Sequence, residues 1–313
     1  MEILNKILEK IKEYDTIIIH GHKRPDGDCY GAQFGLQDII KQSFPTKKVY
    51  VVGEVSEYVK FVGDVETIED SVYEGALSIV VDTATQERIS DKRYTLGKEI
   101  IKIDHHIPID QYGDYIWVDT NFPSCGQMIA FFLQTFKDEL TVSAKGATAM
   151  YTGIITDTSR FRYRGVSRLT HELAGMLIDY GVDIVDVDKK LSVETLEQFK
   201  FKGNLLNTAK FDEGFIYNII TKEDVEKFGV SYEDAAATVN LLGGLEGYGV
   251  WFLAIEYPTE LRLRIRSNSI DIDTLANKYN GGGHKMASGA TLSGFDELPT
   301  FLEDMRLHIK NNK

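Results

Sequence analysis

Short apolar runs rich in β-branched residues alternate with segments of helical periodicity over roughly the first 190 residues. The apolar runs predict strands that end near residues 19, 53, 81, 103 and 118. Helical spacing between them predicts helices over residues 1–12, 29–43, 124–136, 143–157 and 168–190. Strands that alternate with helices are typical of a parallel sheet, so the sequence predicts an α/β fold whose N-terminal domain has a mainly parallel sheet.

A different pattern begins near residue 193. Residues 193–210 are polar and predict a connecting helix, after which a second series of strands begins. Residues 261–267 alternate strictly between arginine and mainly aliphatic side chains, which predicts a strand with Arg262, Arg264 and Arg266 on one face. The predicted organisation is an N-terminal domain over residues 1–192, a connecting helix over 193–210 and a smaller C-terminal α/β domain over 211–313.

Composition narrows the classes of protein to which the chain can belong. At 313 residues the chain exceeds the roughly 250–300 residues at which single cores stop growing, which agrees with two domains. The net charge of −13 argues against a long nucleic-acid duplex as partner, although bound cations would allow small phosphorylated substrates. No apolar run reaches the ~18 residues of a membrane span. Cys29 and Cys125 do not make a disulfide framework, which predicts a reducing, cytoplasmic location.

Side chains with metal-binding capacity follow several of the predicted apolar elements. The first strand leads into a loop that contains glycine and proline, and two further strands end directly in carboxylates or histidines. Because the carboxyl ends of parallel strands meet at one edge of a sheet, these side chains are expected to gather there. Imidazole mixed with carboxylate suits divalent cations such as Mn²⁺ or Mg²⁺. The candidates are His22, Asp26, Asp28, Asp82, Asp104, His105, His106 and Asp157.

Each candidate also has an ordinary structural explanation when it is considered alone. A carboxylate at the end of a strand is often a helix cap or a turn residue, and Asp82 and Asp157 fit either description. The combination, in this order and with each group at the end of an apolar element, is hard to explain by packing. The sequence therefore predicts a divalent-metal site.

The order of these motifs resembles the DHH phosphoesterase superfamily. The resemblance rests on His-x-x-Pro-Asp-Gly-Asp at residues 22–28, the strand-terminal Asp82, Asp-His-His at 104–106 and Thr-Gly-Ile-Ile-Thr-Asp-Thr at 152–158. A Gly-Gly-Gly-His-Lys-Met-Ala-Ser-Gly-Ala segment at 281–290 resembles the companion DHHA1 domain. Within the superfamily, the short two-domain layout is similar to the group of bifunctional oligoribonucleases and phosphatases of 3′-phosphoadenosine 5′-phosphate (pAp).

This resemblance implies a hydrolase with two divalent cations. The implied ligands are His22, Asp26 and Asp82 for one cation and Asp28, Asp82, His105 and Asp157 for the other. A shared carboxylate suits cations about 3.5–4 Å apart that activate water and neutralise phosphoryl oxygens. The mixed ligands favour Mn²⁺, with Mg²⁺ or Co²⁺ as alternatives. His106 is predicted to contact the scissile phosphate or protonate the leaving oxygen, and Asp104 is predicted to orient a neighbouring imidazole.

The C-terminal domain is predicted to bind the phosphorylated substrate across an interdomain cleft. The predicted substrate-binding residues are Arg266, Gly281, Gly282, Gly283, His284 and Lys285. Arg266 would clamp a terminal phosphate, and the glycine backbone would approach a phosphate closely. The structural alternatives are a solvated strand face for Arg262 and Arg264 and a plain loop for the glycines. The substrates implied by the resemblance are short oligoribonucleotides, linear dinucleotides such as pApA, and pAp.

Two other functions remain open from the sequence alone. The first is an inorganic pyrophosphatase or exopolyphosphatase on the same scaffold, although the Ser-Arg-Lys-Lys run of the pyrophosphatase relatives does not occur here. The second is a non-catalytic regulator that binds nucleotides. It is disfavoured because every expected metal ligand is present. A homodimer is compatible with the sequence but is not indicated by any motif.

Overall fold

The computed structural model describes residues 1–163 and 165–312. The chain divides into two compact units, Met1–Val193 and Glu194–Lys313. Each has its own sheet and its own buried apolar core. The predicted α/β class is therefore confirmed.

A five-stranded sheet forms the centre of the first unit. Its strands are β1 (Thr16–His20), β2 (Lys48–Val52), β3 (Leu77–Val81), β4 (Glu99–Asp104) and β5 (Tyr115–Val118). The strand order is β2-β1-β3-β4-β5, and every pair is parallel, as the sequence predicted. β1, β3 and β4 are neighbours, so their carboxyl ends lie side by side at the middle of one sheet edge. This is the position that parallel sheets offer to a ligand.

Six helices accompany this sheet within the described residues. They are α1 (Glu2–Glu13), α2 (Gly27–Ser43), α3 (Cys125–Thr135), α4 (Ala144–Asp157), α5 (Arg168–Asp179) and α6 (Ile184–Ser192). The N-caps predicted at Ser124 and Ser143 are confirmed, because each side chain accepts a hydrogen bond from the first turn of its helix. The break predicted at Gly181 separates α5 from α6, and φ at this glycine is +98°.

The second unit has a mixed six-stranded sheet in the order β10-β11-β9-β8-β7-β6. Its strands are β6 (Lys210–Asp212), β7 (Phe215–Ile220), β8 (Val250–Glu256), β9 (Leu261–Ser267), β10 (Gly282–His284) and β11 (Ala287–Leu292). Its helices are α7 (Leu196–Asn207), α8 (Lys222–Phe228), α9 (Tyr232–Ala237), α10 (Asp273–Lys278) and α11 (Leu298–Asn312). Leu261, Leu263 and Ile265 are buried, so the three arginines of β9 share the opposite face, as predicted.

The glycine-rich segment near residue 282 differs from its predicted form. A plain loop is the structural alternative given above for these glycines, but Gly282–His284 forms β10, which pairs antiparallel with β11. Small residues carry almost no strand signal, because strand propensity reflects side chains packing on a pleated surface. No described helix is long and apolar enough to cross a bilayer.

Candidate metal centre

The loop after β1 delivers the first two candidate ligands. Asp26 is the N-cap of α2, and its Oδ1 accepts hydrogen bonds of 3.1 Å from the backbone amides of both Asp28 and Cys29. Asp26 therefore has an ordinary structural role as a helix cap. Its side chain is nevertheless 57% exposed, and Oδ1 lies 3.7 Å from His22 Nε2. One carboxylate thus fixes the start of α2 and also faces the imidazole of His22.

Asp28 is fully buried and is held by the backbone of another helix. Its Oδ2 accepts from the amide of Cys125 at 2.6 Å, and its Oδ1 accepts from the amide of Gly126 at 2.8 Å. These amides open α3, where the helix dipole favours a negative charge. The amide pair fixes the orientation of the carboxylate, and this contact was not predicted from the sequence. The sequence feature that could have indicated it is the predicted N-cap Ser124 followed by the small residue Gly126.

Asp82 lies between the two histidines that were predicted to bind metal. Its Oδ2 is 3.4 Å from His22 Nε2, and its Oδ1 is 3.4 Å from His105 Nε2. The residue follows β3 directly and adopts a φ of +50°, which is unusual outside glycine, asparagine and aspartate. Such strained backbone concentrates at functional sites because the surrounding structure must hold it.

His105 joins the remaining carboxylates to Asp82. Its Nε2 lies 3.6 Å from Asp28 Oδ2 and 3.4 Å from Asp157 Oδ2 at the end of α4. Its Nδ1 faces the carbonyl of Phe122 at 3.3 Å, and Nδ1 of His22 faces the carbonyl of Lys23 at 3.0 Å. A carbonyl only accepts, so in both rings Nδ1 carries a proton and Nε2 points into the cluster.

All six predicted ligands therefore meet at the carboxyl ends of β1, β3 and β4. They come from the β1–α2 loop, the first turn of α2, the residue after β3, the residue after β4, and the last turn of α4. No predicted ligand lies apart from the group.

The electrostatics of this cluster favour added positive charge. Burial lowers the pKa of His105, but the carboxylates of Asp82, Asp28 and Asp157 outweigh burial and raise the pKa to about 10. Burial and the charge of Asp82 raise the pKa of Asp28 to about 7. Desolvation and the carboxylates of Asp28 and Asp82 likewise raise the pKa of Asp157 well above its usual value. Carboxylates crowded in this way repel one another unless protons or cations lie among them.

The donor set fits divalent cations. Asp82 Oδ1 and His105 Nε2 are buried and make no hydrogen bond with any described residue, although unpaired buried polar atoms are uncommon in proteins. Ligand atoms of Asp28, His105 and Asp157 lie within 4.8 Å of one another, and so do those of His22, Cys29 and Asp82. Imidazole and carboxylate donors at these separations form the ligand mixture that Mn²⁺ and related cations accept.

The two candidate catalytic residues lie beside this cluster. Asp104 is fully buried, and its Oδ1 is 2.8 Å from Nδ1 of His106. The backbone amide of His106 points at the same oxygen, at 3.3 Å. His106 Nδ1 is also 3.6 Å from Asp82 Oδ1, so the ring stands next to the central carboxylate. Asp104 thus holds the ring of His106 by Nδ1.

The candidate substrate-binding residues all lie in the second unit. Arg266 is half-buried and donates from Nη1 to the carbonyl of Ile265 at 2.9 Å. His284 is exposed, while Lys285 donates to Asp271 at 2.7 Å and is thus already paired. A depression of about 240 Å³ is lined by residues of the paired strands β9 and β11 and of the segment before β10. Its lining residues include Arg262, Arg264, Asn280, Gly281, Gly289 and Thr291.

Two of the three clustered glycines have a structural reason to be glycine. A Cβ at Gly281 would lie 2.0 Å from the carbonyl oxygen of Gly289, and one at Gly283 would lie 2.7 Å from that of Ala287. Gly283 also has a φ of +139°. Arg262 has ordinary contacts too, because it pairs with Glu260 and lies 4.2 Å above the ring of Tyr257. These contacts give Gly281, Gly283 and Arg262 ordinary structural roles.

The space around Asp28 predicts the effect of one added methyl group. A Cβ at Gly153 in α4 would lie 2.7 Å from Asp28 Oδ1. Gly153→Ala is therefore expected to displace this carboxylate and weaken Mn²⁺ binding by roughly tenfold or more, measured by titration calorimetry. Gly175→Ala in α5 is the matched control, because its Cβ meets nothing within 4 Å. The control should raise stability by about 0.5–1 kcal/mol with unchanged Mn²⁺ affinity. Equal Mn²⁺ affinity in both variants would contradict the packing argument.

Comparison with known proteins identifies both units. Residues 16–154 match the DHH family, N-terminal domain, and residues 212–311 match the DHHA1 domain. The bifunctional oligoribonuclease and PAP phosphatase NrnA of Bacillus subtilis is 37% identical over 310 residues, which cover 98% of this chain and 99% of that protein. The protein of the same name from Mycoplasma genitalium is 34% identical over 308 residues, 96% of each chain.

A solved structure shares the fold. An exopolyphosphatase-related protein from Bacteroides fragilis superposes with a TM-score of 0.86, and the match covers 97% of this chain and 95% of that one. The sequences are 23% identical, so this likeness concerns the fold alone.

Proposed function

Because the chain belongs to the DHH family and carries a DHHA1 domain, we propose that it is a metal-dependent phosphoesterase that hydrolyses short oligoribonucleotides and pAp. Full-length relatives named as bifunctional oligoribonuclease and PAP phosphatase support this choice of substrates over pyrophosphate or polyphosphate. Linear dinucleotides such as pApA are included, because they are the shortest oligonucleotides of this class.

The observation that carries the proposal is the position of Asp82 between His22 and His105. With 3.4 Å to each imidazole, this carboxylate is the natural shared ligand of two cations. The proposed ligands are His22, Asp26 and Asp82 for one cation and Asp28, Asp82, His105 and Asp157 for the other. The cations, most suitably Mn²⁺, would supply Lewis acidity for the phosphoryl group and lower the pKa of water.

His106 is the proposed acid for the leaving group. In the hydrolysis, a bond forms between water oxygen and phosphorus, and the bond from phosphorus to the leaving oxygen breaks. His106 would give its Nε2 proton to that leaving oxygen. The proton on Nδ1 stays on the ring and is directed at Asp104 Oδ1, which is 2.8 Å away. This contact keeps the ring in one orientation, with Nε2 on the opposite side from Asp104.

The second unit is the proposed substrate-binding domain, covering residues 211–313, with the segment 193–210 as the connecting helix. Arg266 would hold a phosphate of the substrate through charge-assisted hydrogen bonds. His284 is exposed and can add a donor, and the backbone of residues 281–283 can approach a phosphate closely. Lys285 would contribute only after it leaves Asp271.

Arg266→Ala tests the phosphate clamp. Hydrogen bonds to a charged group contribute about 1.5–3 kcal/mol each, so the KM for pAp is expected to rise by roughly 10- to 100-fold. Steady-state kinetics with pAp and with a dinucleotide provide the measurement. Arg262→Ala is the control, because Arg262 is already engaged by Glu260 and Tyr257. An unchanged KM for both substrates in Arg266→Ala would refute the clamp.

A substrate panel tests the proposed activity directly. The protein is incubated with Mn²⁺ and end-labelled RNAs of two to about twenty nucleotides, pAp, pApA, pyrophosphate or polyphosphate. The proposal predicts turnover of pAp and the shortest RNAs, with pAp competing against RNA cleavage. Preferred turnover of pyrophosphate or polyphosphate would assign the protein to the rival activity. Nucleotide binding with no turnover of any substrate would indicate a regulator.

A further inference from the structure

A lysine inside the central sheet lies next to the candidate active site. Lys102 occupies β4 between Ile101 and Ile103, and it is 1% exposed. Its Nζ donates to the carbonyls of Ala84 and Asp110 at 2.9 and 3.0 Å. Lysine is almost never fully buried unless its charge is compensated. The nearest carboxylate oxygen is Oδ2 of Asp104, at 3.6 Å.

We propose that Lys102 is a positioning residue that holds the carboxylate of Asp104 in place and thereby fixes the ring of His106. The inference rests on the proposed function, in which His106 acts on the substrate. It adds a role for a residue that contacts neither substrate nor cation.

A chain of contacts leads from Lys102 through Asp104 to His106. Asp104 is fully buried, and its two oxygens have separate neighbours. Oδ2 faces the ammonium of Lys102, and Oδ1 is 2.8 Å from His106 Nδ1. An ammonium 3.6 Å from a buried carboxylate attracts it strongly, because burial lowers the local dielectric constant, and so holds it in one orientation. Loss of the Lys102 charge therefore weakens Asp104 as the acceptor for His106.

Lys102 also contacts the two loops that carry candidate site residues. The carbonyl of Ala84 lies two residues after Asp82, and the carbonyl of Asp110 lies in the segment after His106. Nζ of Lys102 is also 4.4 Å from the ring centre of Tyr112, whose hydroxyl donates to the carbonyl of Thr83 at 2.6 Å. One ammonium thus joins the loop after β3 to the loop after β4.

A double-mutant cycle separates this role from general stabilisation. The variants are Lys102→Met, Asp104→Asn and the double variant, and kcat and KM for pAp are measured with Mn²⁺. Lys102→Met is expected to lower kcat by roughly 10- to 100-fold, the usual range for residues that orient active groups, with little change in KM. In the Asp104→Asn background, the same substitution should lower kcat by less than about threefold, because its target is already lost. Additive losses, or a loss expressed only in KM, would overturn the proposal.

Lys47→Met is the matched control. Lys47 also donates to two backbone carbonyls, those of Lys12 and Tyr14 at 2.9 and 2.7 Å, but it has no contact with the site. The control should lower the melting temperature and leave kcat unchanged. A kcat loss in Lys47→Met equal to that in Lys102→Met would overturn the proposal. If Lys102→Met does not fold, Lys102→Gln replaces it, since its amide can still donate to a carbonyl without carrying charge.

An activity-independent measurement reports the ring of His106 itself. Long-range ¹H–¹⁵N spectra of the Mg²⁺-loaded protein distinguish the two imidazole tautomers, and His106→Gln assigns the signal. The wild type should show Nδ1 of His106 protonated, whether or not Nε2 also carries a proton, and Lys102→Met should show Nδ1 only partly protonated. An unchanged Nδ1 signal in Lys102→Met would overturn the proposal. Failure of the wild type to hydrolyse any substrate would refute the proposed function, while this spectrum would still decide the role of Lys102.

Discussion

Replacing Asp82 by asparagine is expected to lower kcat for pAp and dinucleotides by at least about 10³-fold. As the proposed shared ligand, this carboxylate would organise both cations, and losing its charge would remove several kcal/mol of transition-state stabilisation, with each 1.4 kcal/mol equal to tenfold in rate. Asparagine is the appropriate substitution because φ at this position is +50°. Asparagine tolerates that conformation, whereas alanine would add backbone strain and complicate the interpretation.

The measurement is single-turnover hydrolysis with Mn²⁺, together with the melting temperature of each variant. Asp183→Asn provides the control, because Asp183 is the exposed N-cap of α6 and asparagine is an equally good cap. The control should keep wild-type turnover. Asp157→Ala, which removes another proposed ligand, should behave like Asp82→Asn. Near-wild-type turnover in either ligand variant, with the fold intact, would refute the metal assignment.

Removing divalent cations is expected to abolish hydrolysis and to lower the melting temperature. Without a cation, the carboxylates of Asp28, Asp82 and Asp157 remain close together around His22 and His105 and repel one another. Rebinding Mn²⁺ at about 100 times its dissociation constant should contribute about 2.7 kcal/mol. For a unit of this size, that corresponds to a rise of roughly 5–10 °C.

The experiment compares chelator-treated protein before and after graded additions of Mn²⁺, Mg²⁺ or Co²⁺. Activity and thermal stability should recover together, and the cation that restores both at the lowest concentration is the preferred one. Asp82→Asn should show a much smaller thermal shift. Full activity after exhaustive chelation would contradict a metal-dependent reaction.

The candidate site was predictable from sequence because its ligands follow regular elements. His22, Asp82 and His105 come just after buried strands, and Asp157 ends a helix whose cap was also visible. In a parallel sheet those positions converge without any knowledge of side-chain packing. The same reasoning gave the five strands of the first unit and the single arginine-bearing face of β9.

The contacts that hold the site depend on distant backbone and were not predictable in this way. The amides of Cys125 and Gly126 reach Asp28 from almost 100 positions away in sequence. The sequence shows Lys102 as a charged residue inside an apolar strand. Its partners, the carbonyls of Ala84 and Asp110, are backbone groups and cannot be predicted from a pattern of side chains. The β10–β11 hairpin was missed for a related reason, since glycine and alanine give a strand little signature.

The proposed metal ligands all precede residue 158, and the second unit contributes none of them. During synthesis, the complete ligand set therefore leaves the ribosome before translation reaches Arg266. We expect the nascent chain to be able to bind its cations before it can bind a nucleotide. In each newly synthesised molecule, metal binding would then precede substrate binding.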